Sequence, residues 1–177
     1  MIKKLIPILL IFLILLLCSC ENNNDKELIE TEVMNYIQVA PARVVAKYSS
    51  ELPEINFVEV ITQNLTYKIT SVTIDSNVAT VTVEINNVDL ETAFIEATEE
   101  YLIWRNSTLA ENPTTPEEQL QTFYTTMLLK KFALADSLPK IECVFKLTKH
   151  ENNQWQITEL DRDLLYKAIT GNLFDFN

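Results

Sequence analysis

Residues Tyr67–Asn86 read YKITSVTIDSNVATVTVEIN, and the fold follows from how this stretch is divided. In its second half Ala79, Val81, Val83 and Ile85 alternate with Thr80, Thr82, Glu84 and Asn86. A period of two puts all four apolar side chains on one side, so this is a strand with a buried face and a wet face. Asp75-Ser76-Asn77 supplies turn chemistry before it. Tyr67 to Ile74 is rich in β-branched residues, but its apolar phase shifts between Ile69 and Val72. One extra residue, a β-bulge, would restore the phase. The stretch is therefore an antiparallel hairpin.

Toward the C-terminus a second hairpin has the same character. Ile141, Cys143, Phe145 and Leu147 alternate with Glu142 and Lys146, Glu151-Asn152-Asn153 turns the chain, and Trp155 and Ile157 return it. Two helices are expected between the hairpins. Asp89 can cap the first, whose apolar face is Leu90, Ala93, Phe94, Ala97, Tyr101 and Trp104. Asn106 to Thr114 reads as a polar loop. Thr115-Pro116-Glu117-Glu118 then matches a capping box with Pro at the first helical position. The second helix carries Leu120, Phe123, Tyr124, Met127, Leu128 and Phe132 to about Ala135, and Pro139 closes the connection. Asp161 opens a last helix through Leu164, Leu165, Ala168 and Ile169, with Gly171 as a left-handed C-cap.

Upstream, Ile29, Val33, Ile37, Ala40, Val44 and Tyr48 recur in steps of three and four, one face of a helix. Pro41 interrupts this pattern, which predicts two segments of one bent arm. Leu52 to Gln63 reads as either a short helix or a loop. The order α(α)–ββ–α–α–ββ–α predicts an α+β domain. Its four-stranded antiparallel sheet of two hairpins would pack against helices on one face and leave the other exposed.

Met1 to Ser19 has the features of a targeting segment: Lys3 and Lys4, then a Leu/Ile run from Leu5 to Leu17. That run is short of the roughly 20 residues a spanning helix needs. Leu17-Cys18-Ser19-Cys20 resembles the lipobox of bacterial lipoproteins, with an aliphatic residue at −3 and a small one at −1. The resemblance implies a diacylglyceryl thioether on Cys20, cleavage before it, and often a further acyl chain on the new amino terminus. Two or more chains anchor stably where one does not. Glu21 to Asp25 reads as a flexible tether. The expected organisation is a signal peptide over 1–19, a lipidated Cys and tether over 20–25, and a single domain over 26–177. The expected address is the cell membrane or outer membrane, outside the cytoplasm.

Composition removes many activities. Without Lys3 and Lys4, twelve cations face 25 carboxylates, so the expected mature chain has a net charge of −13 and suits neither nucleic acid nor anionic headgroups. Gly171 is the only glycine, which excludes Gly-rich phosphate loops, and no cofactor is expected. If Cys20 carries lipid and Cys18 leaves with the signal, Cys143 is the sole thiol and no internal disulfide forms. Cys143 and His150 share a hairpin, but Cys143 falls in the inward set, where it acts as a small hydrophobe rather than a nucleophile. His150 is the single histidine and lacks any zinc-ligand spacing. Asp161-Arg162-Asp163 fits a helix N-terminus better than a calcium loop. Glu96, Glu99 and Glu100 lie off the apolar face and read as solvated rather than as an acid–base pair. No catalytic or metal residue is expected. Tyr101, Trp104, Phe123, Phe145 and Trp155 could either pack the core or line an apolar pocket between sheet and helices.

Three features together resemble a group of uncharacterised bacterial lipoproteins with a cystatin-like or nuclear-transport-factor-2-like fold. They are the lipobox followed by a helical arm, the Tyr67–Asn86 hairpin, and the ending from Asn153-Gln154-Trp155-Gln156-Ile157 to Leu164-Leu165-x-x-Ala168-Ile169-x-Gly171. The resemblance implies a Trp-bearing strand that closes the sheet before a short terminal helix. The long helical insertion Asp89–Asp136 departs from the simplest members. The fold hosts enzymes and binders alike. The expected function is that of a membrane-anchored, non-catalytic domain that binds a protein or other envelope partner, not identified by the sequence, through an exposed sheet or helix face. The alternative is a carrier or sensor of a small apolar ligand.

Overall fold

The computed structural model describes residues 5–48 and 55–174, with side chains from residue 24 onward. The elements run α1 (Leu5–Tyr48), α2 (Phe57–Asn64), β1 (Thr66–Asp75), β2 (Val78–Asn86), α3 (Leu90–Glu111), α4 (Glu117–Leu134), β3 (Ile141–Lys149), β4 (Trp155–Leu160) and α5 (Arg162–Thr170). The strands form one antiparallel sheet in the order β1-β2-β3-β4, so the α+β expectation holds. The helical insertion leaves and rejoins the sheet between neighbouring strands, which keeps the meander intact.

The bulge falls where the phase shift placed it. Register slips between Ile69 and Ser71, so that Ile69 pairs with Val83 and Val72 with Val81. Without the extra residue, Val72 and Ile74 would point to the wet side. The inner face, with Ala79, Val81, Val83, Ile85, Phe145 and Leu147, is fully buried. It packs against Ile29, Val33 and Ile37 of α1, Phe57 and Ile61 of α2, and Leu165 and Ile169 of α5. The outer face stays exposed at Glu142, Val144 and Lys146. Lys146 sits opposite Glu159 and bonds it at 2.8 Å, an exposed pair that contributes little.

Several boundaries differ from expectation. Pro41 does not divide the first helix; Ile37, Ala40 and Val44 around it are all buried, and that packing outweighs the lost hydrogen bond. Asn106–Thr114 is not a loop throughout, because α3 continues to Glu111. Leu109 and Ala110 are strong helix formers, and Pro113 ends the run. The capping box does not form: Pro116 is the N-cap of α4 and no side chain caps it. Thr115 instead donates its hydroxyl to the Asn112 carbonyl at 2.8 Å, and Asn112 Oδ1 takes the Thr114 hydroxyl at 2.9 Å. Residues 20–25, expected as a tether, lie within α1. The side chains of the expected signal segment and of Cys20 fall outside the described residues.

The two ends of the sheet differ. At one end the two hairpin turns meet, where Lys149 N donates to Asn77 O at 2.8 Å. At the other, the Asn87-Val88-Asp89 segment collects the surrounding elements. Asn87 Nδ2 donates to the carbonyls of Ile61 and Ile169, and Leu138 N donates to Asn87 O. Asp89 N donates to Asp136 O and Glu91 N to Gly171 O. α3 and α4 are therefore rooted at the end opposite the turns.

Candidate functional site

The α3–α4 insertion is a helical arm with a packed root and a separate tip. Leu90, Ala93 and Ala97 of α3 and Leu128 and Phe132 of α4 join the main core. The N-terminus of α3 is capped as expected, with Asp89 Oδ1 accepting from Thr92 N at 3.0 Å. Further out the helices hold each other through aromatic pairs. The Tyr101 and Tyr124 rings stack with centroids 4.5 Å apart, and Trp104 stacks on Phe123 at 3.7 Å. Tyr124 also shares a 3.0 Å hydrogen bond with the Thr98 hydroxyl. Lys131 of α4 bridges Glu96 at 3.1 Å and Glu100 at 2.5 Å. These bonds, Glu100 first, raise the Lys131 pKa.

A groove of about 620 Å³ follows the seam between the two helices, lined by Ala93, Phe123, Met127 and Leu134 with Asp89 and Glu96. The arm also displays apolar side chains to solvent: Ile95, Leu102, Ile103, Leu129 and Leu134 are all exposed. Ile103 at 73 % and Leu134 at 72 % are bare enough that neither belongs to any interior.

The five aromatics that could pack the core or line one pocket are divided between two places. Tyr101, Trp104 and Phe123 belong to the arm, and only Phe123 lines its groove. Phe145 is fully buried in the sheet core, with its ring edge-on to Tyr36 at 6.2 Å. Trp155 is buried, and its indole N–H donates to Asp25, well inside α1. The groove lies within the arm, and of the five aromatics only Phe123 lines it, while Phe145 and Trp155 pack in the core. Helical spacing shows which face of α3 is apolar, but not that its counterpart is α4 rather than the sheet.

Asp25, which the sequence did not single out, is a second point of interest. Its carboxylate accepts from Lys149 Nζ at 2.9 Å and from Trp155 Nε1 at 3.2 Å, and Lys149 lies over the indole ring. The Asp25 side chain is 16 % exposed. The Lys149 bond holds its carboxyl below the usual carboxylate range, burial opposes this, and Trp155 adds to the lowering. A depressed carboxyl stabilises the contact above the unfolded-state value, and that stability is lost as pH falls through the folded one. Its partners lie 124 and 130 residues away, so no local pattern announced it. Beside it a groove of about 950 Å³ runs between Leu28, Thr31 and Glu32 and the β3–β4 turn.

The other candidates fall where expected. Cys143 is 1 % exposed, pairs with Val83 in mid-sheet and does not meet His150, which sits exposed at the turn. Burial, and secondarily the charge of Asp161, pushes the Cys143 thiol up to about 11. A thiol-specific reagent at pH 8 is therefore expected to label Cys143 only as fast as the protein opens, with denaturant raising the rate by orders of magnitude. Fast labelling of the native protein would contradict its burial. Asp161 caps α5 by accepting from Leu164 N at 3.0 Å, and Gly171 closes that helix in the left-handed region. Glu96 and Glu100 are engaged with Lys131, while Glu99 is exposed. Among the described residues no group of three or more His, Cys, Asp or Glu is arranged to hold a metal ion, and no helix is long and apolar enough to cross a membrane.

No protein-family model and no curated protein matches the chain. The solved structure of ycdA from Bacillus subtilis, a protein provisionally described as a lipoprotein, resembles it at 14 % identity and a TM-score of 0.45. The match covers 78 % of this chain and 46 % of that one, so the chain spans under half the length of that relative.

Proposed function

We propose that the chain is a lipid-anchored, non-catalytic interaction domain of the cell envelope. Acyl groups on Cys20 would hold it outside the cytoplasm, at the cell membrane or outer membrane. The observation that carries this is the position of Asp25. It is five residues past Cys20 and is fixed by Lys149 and Trp155 to the end of the sheet where the turns meet. Five helical residues rise only about 7 Å. The lipid would thus keep the turn end near the headgroups and leave the root of the α3–α4 arm at the far end, facing a partner. Helices α1, α2 and α5 on one face of the sheet also suit a cystatin-like or nuclear-transport-factor-2-like domain carrying this arm as an insertion.

The test is a comparison of the natural chain with Cys20→Ala in a bacterial host. The natural protein is expected in the membrane fraction, with an acylated Cys20 as the first residue by mass spectrometry. The variant is expected to lose both the acyl mass and its place in that fraction. An unmodified Cys20 thiol, or a retained signal segment, would overturn the proposal.

A second function has support from the groove between α3 and α4, whose volume of about 620 Å³ suits a small ligand. Its apolar walls, Ala93, Phe123, Met127 and Leu134, would favour an apolar one. A ligand co-purifying with the protein, found by mass spectrometry and lost on Met127→Lys, would favour the carrier function over the interaction domain.

A further inference from the structure

We infer that the outward face of α3 docks a basic amphipathic helix of a partner protein. The inference rests on the interaction-domain proposal and gives that partner a chemistry. Glu91, Ile95, Glu99 and Leu102 follow one another in steps of four, four and three, so they lie along one side of α3. All four are exposed, and Ile103 stands bare beside them. Acid and apolar side chains thus alternate along a helix face that none of the described residues covers.

The carboxylates on this face are left for a partner, apart from the favourable place of Glu91 in the first turn of α3. Among the described residues neither Glu91 nor Glu99 takes part in an ion pair, whereas Glu96 and Glu100, around the helix, both bond Lys131. The field around them is one-sided. From Asp89 to Asp136 there are nine carboxylates and three cations, and one of those cations is Lys131 itself.

That field selects among possible occupants. A second copy would set the same carboxylates against each other, and like charges across an interface are costly. An anionic bilayer or a nucleic acid would be repelled for the same reason. A helix with an apolar ridge at i, i+3, i+4 and i+7, flanked by Lys or Arg, satisfies both features together. Its ridge would cover Ile95, Leu102 and Ile103, and its cations would meet Glu91 and Glu99. With 22 residues, α3 is long enough to seat such a helix over several turns.

The experiment uses the full chain in non-ionic detergent and a labelled Leu/Lys peptide of about 18 residues with 3–4 apolar spacing, read by fluorescence anisotropy. Controls are a Leu/Glu peptide of the same pattern and a scrambled Leu/Lys peptide. The patterned Leu/Lys peptide is expected to bind at least about tenfold more tightly than either control. Raising salt from about 50 to about 500 mM is expected to weaken it about tenfold. Glu91→Lys with Glu99→Lys, and separately Ile95→Ser with Leu102→Ser, are each expected to weaken it more than about tenfold while circular dichroism stays unchanged. These are surface positions, so folding is not at stake. Equal binding of either control peptide would overturn the inference. So would binding that ignores both α3 double variants, or self-association in sedimentation that Ile95→Ser with Leu102→Ser abolishes. Cys20→Ala is expected to leave peptide binding unchanged. Failure of the peptide with Cys20 still acylated would therefore remove the α3 inference alone.

Discussion

Gly171→Ala is expected to lower folding stability by about 3–5 kcal/mol, far more than a surface methyl group normally costs. Two effects combine. Gly171 has φ +57°, in the left-handed region, where an L side chain costs about 1–2 kcal/mol. A Cβ at this position would also lie 2.0 Å from the Val88 carbonyl oxygen and 3.1 Å from Leu90 N. Neither neighbour is a flexible side-chain tip that can swing aside. Val88 O already accepts from Leu90 N, and Gly171 O accepts from Glu91 N, so any shift is passed to the root of the arm. Chemical denaturation would measure the loss, and the melting temperature is expected to fall by roughly 10 °C or more. Gly171→Asn separates the two causes. Asparagine tolerates the left-handed region but carries the same Cβ, so it is expected to be nearly as damaging as alanine. A fully stable Gly171→Asn would show that backbone conformation, and not the close approach to Val88, makes glycine necessary.

Gly171 also shows which parts of this fold local sequence can express. Its place after Leu164-Leu165-x-x-Ala168-Ile169 marks a helix end, and the structure has that end. The β2 alternation, the bulge between Ile69 and Val72, and the Asp89 and Asp161 caps are equally local, each written within a few residues. What is not local is not legible. Nothing around Gly171 says that Val88 presses against it, 83 residues earlier in the chain. Asp25 read as part of a tether because Lys149 and Trp155, which hold it, are a domain's length away. The tip of α3 lacks an apolar periodicity that marks a helix, and the capping box does not form because Pro116, not Thr115, is the N-cap, with the Thr115 hydroxyl donating to the Asn112 carbonyl. The placing of the aromatics is illegible for a related reason. Spacing identified the apolar faces bearing Trp104, Phe123, Phe145 and Trp155, but pairing those faces is a tertiary fact. The candidate docking face, in contrast, is half legible: spacing puts Glu96, Glu99 and Glu100 on a solvated face, and the structure shows that Lys131 holds two of them and, among the described residues, no ion pair holds Glu99.

Asn87→Asp is expected to destabilise the protein by about 4 kcal/mol or more at pH 7, since each buried polar group left unpaired costs about 1–3 kcal/mol and a buried charge more. Asn87 is 1 % exposed, one of two polar residues buried in the described chain. Its amide nitrogen donates to Ile61 O at the end of α2 and to Ile169 O in α5, while its Oδ1 accepts from Val88 N. The substitution keeps shape and the Val88 contact but turns the donor into an oxygen facing two carbonyls. Burial among acceptors must raise the new carboxyl's pKa above its unfolded value, which fixes the sign of the pH dependence. The folded variant takes up its proton first, so the penalty is full at high pH and shrinks as pH falls toward the unfolded carboxylate range. Once protonated, the group can donate to one of the two carbonyls again. Asn87→Leu, which removes the pairing without adding charge, is expected to cost about 3 kcal/mol with no such pH dependence. Urea denaturation of both variants at pH 7 and pH 4.5 would decide. If Asn87→Asp cost no more than Asn87→Leu at pH 7 and did not recover in acid, the amide would not be what joins α2 and α5 to the root of the arm.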